Sequence, residues 1–228
     1  HTIYYIADGC KNFFENYYGI SDKDIHMEEL LLGGRILNNE ERKERRNRIR
    51  KSLGLNDNEI MLLHTGKLEK GKRTHDLLEA FFKTNSKEWK LYIIGSIPES
   101  QREQLEKDIA RDDRVTFLGW KSADEIRSYL CAADLYLQPG TQSSTLQTAI
   151  CCGCPCILNF DKNSQGGGYC NILNEYQAYP VETVEDIRKA IELLAGNSEI
   201  RRKYAENAMK VAIEKFDYDT QVKRIIRK

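Results

Sequence analysis

The stretch Ile60-Met61-Leu62-Leu63-His64 decides the fold that the sequence predicts, because it is apolar on both faces of a strand. It is the first of five strand-length apolar runs, at 60–64, 90–94, 115–118, 135–137 and 156–159. Helical patterns lie between these runs, at 75–83, 100–111, 123–132 and 144–152. This alternation predicts right-handed βαβ units and a Rossmann-like α/β fold with a parallel sheet. Such a fold binds ligands at the carboxyl ends of its strands.

Weaker patterns flank this core. Before it, a strand is predicted at 2–7, a helix at 8–19 that Asp8 caps, an extended piece at 25–32 and a charged helix at 39–53. After it, helices are predicted at 184–194 and 200–215, followed by a short tail from Tyr218. We expect residues 1–36 to be the end of another domain with its crossover, residues 37–55 a charged linking helix, and residues 56–228 the Rossmann-like domain. Gly33 and Gly34 are expected at the crossing point, because glycine tolerates unusual backbone angles.

Composition narrows the classes of partner and the cellular compartment. Lys and Arg together number 35, as do Asp and Glu, so the net charge is zero and favours no nucleic-acid partner. No apolar run is long enough for a transmembrane helix, which leaves peripheral association as the only expected contact with a membrane. The seven cysteines are an odd number and favour free thiols in a reducing cytoplasm. Because the chain begins at His1 rather than Met, we expect it to be part of a longer protein.

The segment Gly66-Lys67-Leu68-Glu69-Lys70-Gly71-Lys72-Arg73 directly follows the first core strand, where an α/β sheet binds its ligand. Glycines let a backbone approach a ligand closely and the cations neutralise negative charge, so this segment suits a diphosphate. A solvated basic turn explains the same composition equally well. The segment is not a Walker A loop, because Arg73 stands where that motif has Ser or Thr.

A second polar segment, Pro139-Gly140-Thr141-Gln142-Ser143-Ser144, follows the strand at 135–137 and opens a helix. Free N–H groups and the helix dipole make such a turn an anion site. Ordinary capping by Ser143 or Ser144 is the alternative, but it needs only one polar side chain. The excess of polar residues in the segment therefore favours anion binding.

Three other features carry less information. The four cysteines between 151 and 156 lack the spacing of two CxxC pairs and have no histidine nearby in sequence, so we expect them in the core rather than on a metal. The run Gly166-Gly167-Gly168 is either a loop that approaches a ligand or a surface loop. Trp120 follows Gly119 at a strand end, and it either lines a base pocket or packs in the core or at its rim.

Taken in order, these segments resemble the carboxy-terminal, sugar-nucleotide-binding domain of glycosyltransferase family four (group 1), a large retaining family with the two-domain GT-B fold. The matching pieces are H-T-G-K-L-E-K-G-K-R at 64–73, L-L-E-A-F at 77–81, L-Y-I-I-G at 91–95, V-T-F-L-G-W at 115–120, A-A-D-L-Y-L-Q-P-G at 132–140 and A-I-C-C-G-C-P-C-I at 149–157. Each piece is short, but their order and spacing agree with the family over residues 60–160. Residues 1–36 resemble the end of the family's amino-terminal domain and the crossover into the second.

The resemblance implies a donor site. It places Lys67 and Lys70 on the diphosphate, with Lys72 as a rival for Lys70. The acidic E-x7-E pair of the family is missing, and its second glutamate is Thr148 here, so sugar contacts are expected from the polar segment instead. The expected substrate-binding residues are Gly66, Lys67, Lys70, Lys72, Gly95, Gly119, Trp120, Gly140, Thr141, Gln142, Ser143, Ser144, Gln147 and Thr148.

The implied reaction moves a hexose from a nucleoside diphosphate sugar to an acceptor glycan or lipid with retention of configuration, as in surface polysaccharide synthesis. No metal cofactor is expected, because cations and helix dipoles offset the charge of the departing diphosphate. The acceptor-binding domain belongs to the missing amino-terminal half, so this chain alone is expected to be inactive. Two alternatives stay open: a non-catalytic sugar-nucleotide-binding module, which the missing glutamates favour, and a nucleotide-sugar epimerase of the same architecture.

The cysteine pattern yields a direct test. We expect all seven thiols to react with Ellman's reagent in denaturant, because neighbours as close as Cys151 and Cys152 do not form a disulfide framework. Elemental analysis of the same sample is expected to find no bound zinc. Stoichiometric zinc, or fewer than seven reactive thiols, would contradict the assignment of these residues to the core.

Overall fold

The structure, a computed structural model, describes residues 1–6, 8–31, 33–159, 173 and 178–226. Its eight strands in these ranges are β1 (Thr2–Tyr5), β2 (His26–Glu29), β3 (Ile60–Lys67), β4 (Trp89–Ser96), β5 (Val115–Phe117), β6 (Leu135–Gln138), β7 (Cys156–Leu158) and β8 (Ala178–Pro180). The nine α-helices in the same ranges are α1 (Asp8–Phe13), α2 (Asn39–Ser52), α3 (Thr74–Phe82), α4 (Arg102–Ile109), α5 (Ala123–Ala132), α6 (Thr145–Cys151), α7 (Val184–Gly196), α8 (Ser198–Val211) and α9 (Tyr218–Ile226). Short π-helical turns at Phe14–Tyr18 and Ala212–Phe216 extend α1 and α8, and 3₁₀ turns at Lys70–Lys72 and Glu99–Gln101 precede α3 and α4.

β3 lies in the middle of a parallel sheet with the strand order β5-β4-β3-β6-β7-β8. Its residues alternate between two cores, because Met61 and Leu63 pack on one face of the sheet while Leu62 packs on the other. All three side chains are fully buried. A strand that is apolar on both faces is what a sheet covered by helices on two sides requires. The predicted Rossmann-like α/β fold is therefore confirmed.

Two elements near the carboxyl terminus differ from the prediction. The residues from Tyr218 form α9 instead of a tail, because Gln221 is fully buried and donates a hydrogen bond to Glu214 O at 3.1 Å. β8 is absent from the prediction because it is a strand of three residues that ends at Pro180. The run Gly166-Gly167-Gly168 lies outside the described residues.

The cysteines between 151 and 156 lie in the core, as predicted. Each has at most 2 % of its surface exposed, and the six cysteines in the described part of the chain are free thiols. α6 ends at Cys151, and Gly153 then takes the left-handed conformation, with φ 70°, that stops the helix. Burial raises the pKa of the Cys151 thiol to about 12, so this thiol is uncharged at neutral pH.

α2 is fixed to the sheet by arginines, although its sequence is almost entirely charged. Arg50 is only 7 % exposed and donates to two main-chain carbonyls, both at 2.7 Å. Asp134, at the start of β6, accepts hydrogen bonds from Arg46 at 2.7 Å, from Arg50 at 3.1 Å and from Met61 N at 2.8 Å. One carboxylate that is only 12 % exposed thus joins α2 to two neighbouring strands.

The amino-terminal segment forms a small unit of its own. β1 and β2 pair in parallel as a separate two-stranded sheet. The chain then crosses over at Gly33, whose N–H donates to Phe216 O at 2.9 Å. A Cβ on Gly33 would lie 2.8 Å from both Cys151 Sγ and Gln147 O, so a larger residue does not fit. The predicted domain boundaries after residues 36 and 55 stay predictions.

Aromatic side chains on the first helix and its π-turn are exposed. Tyr17 is 78 % exposed and Tyr18 64 %, and Phe13 stacks on Tyr17 with ring centroids 4.7 Å apart. On α9, Ile226 is 76 % exposed. Uncovered apolar patches of this kind mark interaction surfaces. Within the described ranges, no helix combines the length and the apolar character needed to cross a membrane.

His64 on β3 is buried as a neutral imidazole. Its Nδ1 lies 2.8 Å from Leu137 O, and because a carbonyl oxygen only accepts, Nδ1 carries the proton. Nε2 therefore accepts from the Thr74 hydroxyl at 3.1 Å. Burial lowers the pKa of His64 to about 4 from its ordinary value of 6.5.

Removing the Asp134 carboxylate at the start of β6 should destabilise the fold. We expect Asp134→Ala to lower the free energy of unfolding by about 3 kcal/mol, because Arg50 loses its counter-ion in a buried site. Asp124→Ala removes an exposed carboxylate from Arg45 and should cost about 0.5 kcal/mol. Urea denaturation measures both, and equal losses would show that the buried pair has no special role.

The buried imidazole should make stability depend on pH. The folded pKa of His64 lies below the unfolded one, so its contribution is complete above pH 6.5 and is lost as pH falls toward 4. The expected loss is at most about 1.4 kcal/mol per pH unit. His64→Asn should flatten this part of the curve. Parallel curves for the wild type and His64→Asn would contradict the assignment.

Candidate functional site

The two polar segments predicted as anion sites touch each other at the carboxyl edge of the sheet. Thr141 N donates a hydrogen bond to Gly71 O at 2.8 Å. A Cβ on Gly140 would lie 2.2 Å from Gly71 O and 2.5 Å from the carbonyl carbon of Lys72, so only glycine permits this approach. The loop after β3 and the turn after β6 therefore form one continuous surface.

The three lysines of the loop differ in their surroundings. Lys67 is exposed and pairs with Glu69 at 2.5 Å, and Lys70 is exposed as well. Lys72 is half-buried, and its Nζ donates to Thr141 O at 2.5 Å. Burial lowers the pKa of the Lys72 ammonium, because the charged form loses contact with water. Lys72 is thus the lysine that lies between the two segments.

The turn before α6 leaves donor groups outside the helical hydrogen-bond ladder. The first ladder bond runs from Leu146 N to Ser143 O at 3.0 Å. Ser144 occupies the N-cap position without a side-chain cap bond. The Ser143 hydroxyl instead accepts from Gln138 Nε2 at 2.8 Å. Side-chain capping therefore does not account for the serines, and the first turn keeps N–H groups for another acceptor.

A cleft of about 240 Å³ opens beside this surface between the ends of β3, β4 and β5. Its floor is made by glycines: a Cβ on Gly95 would lie 1.7 Å from Gly66 O, and Gly95 N donates to Gly119 O at 3.0 Å. The cleft is lined by Thr65, Gly66, Lys67, Ile94, Gly95, Ser96, Trp120, Lys121, Ile126 and Thr145. Its lining among the described residues includes two lysines and no carboxylate.

Trp120 lies at the rim of the cleft with 72 % of its surface exposed. The expectation that this side chain packs in the core is therefore wrong, and the structure places it at the rim of the cleft. The prediction missed six lining residues: Thr65, Ile94, Ser96, Lys121, Ile126 and Thr145. Ser96, Lys121 and Thr145 directly follow predicted site residues, so their position in the sequence was an available signal.

Some predicted site residues do not reach the cleft. Gln147 is 4 % exposed, and the Thr148 hydroxyl donates to Gly33 O at 3.0 Å, so neither lines the cleft. Gln142 Nε2 donates to Asn159 O at 2.9 Å on the far side of the turn. Thr148, which stands where the resemblance places a glutamate, thus hydrogen-bonds to the crossover segment.

A known protein family matches most of the chain. Residues 45–211 match the family described as "Glycosyl transferases group 1". The chain is 30 % identical over 177 residues to N-acetyl-alpha-D-glucosaminyl L-malate synthase of Bacillus anthracis. The aligned region covers 74 % of this chain and 44 % of the relative. The chain therefore spans less than half the length of that curated relative.

Solved structures show the same fold at lower identity. Anabaena Alr3699/HepE in complex with UDP and glucose superposes with a TM-score of 0.80 and 18 % identity, over 99 % of this chain and 62 % of that one. WaaG, a glycosyltransferase involved in lipopolysaccharide biosynthesis, superposes with a TM-score of 0.74 and 19 % identity, over 97 % and 60 %. The match over most of the sequence and the shared fold establish that the chain belongs to the group 1 glycosyltransferases.

Proposed function

We propose that this chain is the donor-binding part of a retaining glycosyltransferase, which transfers a hexose from a nucleoside diphosphate sugar to an acceptor glycan or lipid. The observation that carries the proposal is the direct contact between the Gly66–Lys72 loop and the Gly140–Ser144 turn, next to a cleft. One segment offers cations and the other offers helix N-terminal N–H groups. A diphosphate is the common ligand that uses both.

The cleft suits the nucleoside. Glycines at the ends of three strands let a flat ring system approach the main chain, and the exposed Trp120 ring lies at the rim where it can stack on a base. The relative Alr3699/HepE has been solved with UDP, with UDP-glucose and with UDP and glucose. UDP is therefore the first nucleotide to test.

The departing diphosphate needs its charge neutralised in the transition state. In this proposal the lysines and the N–H groups before α6 supply that stabilisation and position the donor for transfer to the acceptor. That this stabilisation needs no metal cofactor is part of the proposal.

Lys72 takes precedence over Lys70 in this account. Its ammonium is half-buried at the junction of the two segments, 2.5 Å from Thr141 O, whereas Lys70 is exposed. A charge that is partly withdrawn from water interacts more strongly with a phosphate than an exposed one does. We therefore assign Lys67 and Lys72, rather than Lys67 and Lys70, to the diphosphate.

The acceptor site belongs to a second domain in this proposal. β1 and β2 form a sheet of only two parallel strands in which every residue of β1 is partly exposed, whereas parallel strands normally lie in larger sheets covered on both faces. The exposed aromatic patch of Phe13, Tyr17 and Tyr18 lies on the same segment. A domain that precedes residue 1 would cover both, which fits the greater length of the relatives.

A non-catalytic sugar-nucleotide-binding module is the second candidate. Thr148 stands where the resemblance has a carboxylate, and its hydroxyl donates to Gly33 O. The described cleft lining has no acidic side chain. The same lack of acid and base groups counts against an epimerase. Turnover of a UDP-sugar by the longer protein separates a transferase from a binding module.

Single lysine substitutions test the diphosphate assignment. We expect Lys67→Ala and Lys72→Ala each to weaken UDP binding by about 1.5–3 kcal/mol, because each removes a charge-assisted contact. Uridine binding should not change, since uridine has no phosphate. Lys70→Ala should have a smaller effect on UDP, and calorimetry with both ligands measures all three variants.

Lys83→Ala is the matched control, because Lys83 is an exposed lysine that pairs with Glu79 on α3 at 2.7 Å. It should bind UDP as the wild type does. Equal losses for uridine and UDP, or unchanged UDP binding in the Lys67 and Lys72 variants, would refute the assignment.

A further inference from the structure

Arg73 has an unusual backbone conformation for its residue type. Its φ of 56° and ψ of 36° are left-handed, and within the described residues it is the non-glycine residue with positive φ. This conformation is disfavoured for residues that carry a Cβ, whereas glycine adopts it freely. Strained residues of this kind persist where other contacts over-determine them.

The side chain of Arg73 joins three loops at the carboxyl edge of the sheet. It pairs with Asp76 on α3 at 2.7 Å. Its Nη1 donates to Pro139 O at 3.1 Å, in the turn after β6, and to Glu182 O at 2.8 Å, between β8 and α7. One guanidinium thus connects the loops that follow β3, β6 and β8.

The contact between Arg73 and Pro139 lies beside the proposed diphosphate surface. Arg73 directly follows Lys72, and Pro139 directly precedes Gly140, whose main chain packs on Gly71 and Lys72. A hydrogen bond from Arg73 to Pro139 O therefore holds the turn against the loop. It also keeps Thr141 N within reach of Gly71 O.

We propose that Arg73 is a positioning residue for the donor diphosphate, which fixes the turn at 139–144 against the lysine loop without touching the ligand. This inference rests on the proposed function. It concerns the arrangement of the phosphate-binding groups, and it predicts an effect on diphosphate binding that exceeds any effect on the nucleoside.

The experiment compares Arg73→Gly, Arg73→Lys and wild-type protein. Arg73→Gly keeps the left-handed turn but removes the guanidinium, so the fold should survive. Arg73→Lys keeps the charge but not the planar fork that reaches two carbonyls and a carboxylate. We expect both variants to bind UDP about tenfold more weakly, with uridine binding unchanged. Amide hydrogen exchange at Thr141 should be faster in both free variants.

Arg114→Ala is the matched control. Arg114 also donates to main-chain carbonyls, three in its case, and pairs with a nearby aspartate, but it lies at the opposite, amino-terminal edge of the sheet. It should lower thermal stability and leave UDP affinity and Thr141 exchange unchanged.

The possible outcomes distinguish a failure of the proposed function from a failure of the positioning role of Arg73. If wild-type protein binds none of UDP, GDP and ADP, the proposed function and this inference both fall. If the wild type binds UDP and Arg73→Gly binds it equally well, only the positioning role is overturned. Full affinity in Arg73→Lys would also overturn it, because charge alone would then explain the effect. Equal weakening for uridine and UDP would indicate a merely structural residue.

Discussion

The carbonyl oxygen of Gly71 lies where a side chain on Gly140 would have to go, and the proposed donor site depends on that contact. A Cβ there would be 2.2 Å away, far inside van der Waals distance. The missing side chain lets two loops that follow different strands merge into one surface. A similar approach of Gly95 to Gly66 O forms the floor of the adjacent cleft. Glycine at strand ends thus creates the space that a nucleotide would occupy.

Charged residues are distributed unevenly over the chain. The chain is neutral overall, yet the described cleft lining has lysines without carboxylates. Some carboxylates elsewhere pair with structural arginines, as Asp134 does with Arg46 and Arg50. In the proposal, local segregation of charge rather than net charge favours an anion at the site. Arg73 and Lys72 are neighbours with different roles. The guanidinium of the strained Arg73 is structural, whereas Lys72 is assigned to the diphosphate in the proposal.

Much of the fold could be predicted from the sequence, because strands such as β3 are apolar on both faces and return at regular spacing. The short strand β8 was not predicted, because its three residues, Ala178–Pro180, carry no periodicity. The role of Thr148 could not be predicted, since its partner Gly33 is 115 residues away in sequence. The choice between Lys70 and Lys72 likewise depends on the path of a 3₁₀ turn and on the left-handed Arg73, which composition does not reveal.

The central claim is that the loop after β3 and the turn before α6 hold one diphosphate between them. A crystal structure of the protein with UDP tests this most directly. The account predicts phosphate oxygens within about 3 Å of both a lysine Nζ of the loop and a main-chain N–H of residues 140–145, with the uracil against Trp120 and Gly119. A diphosphate bound to only one of the two segments, or at another edge of the sheet, would contradict it.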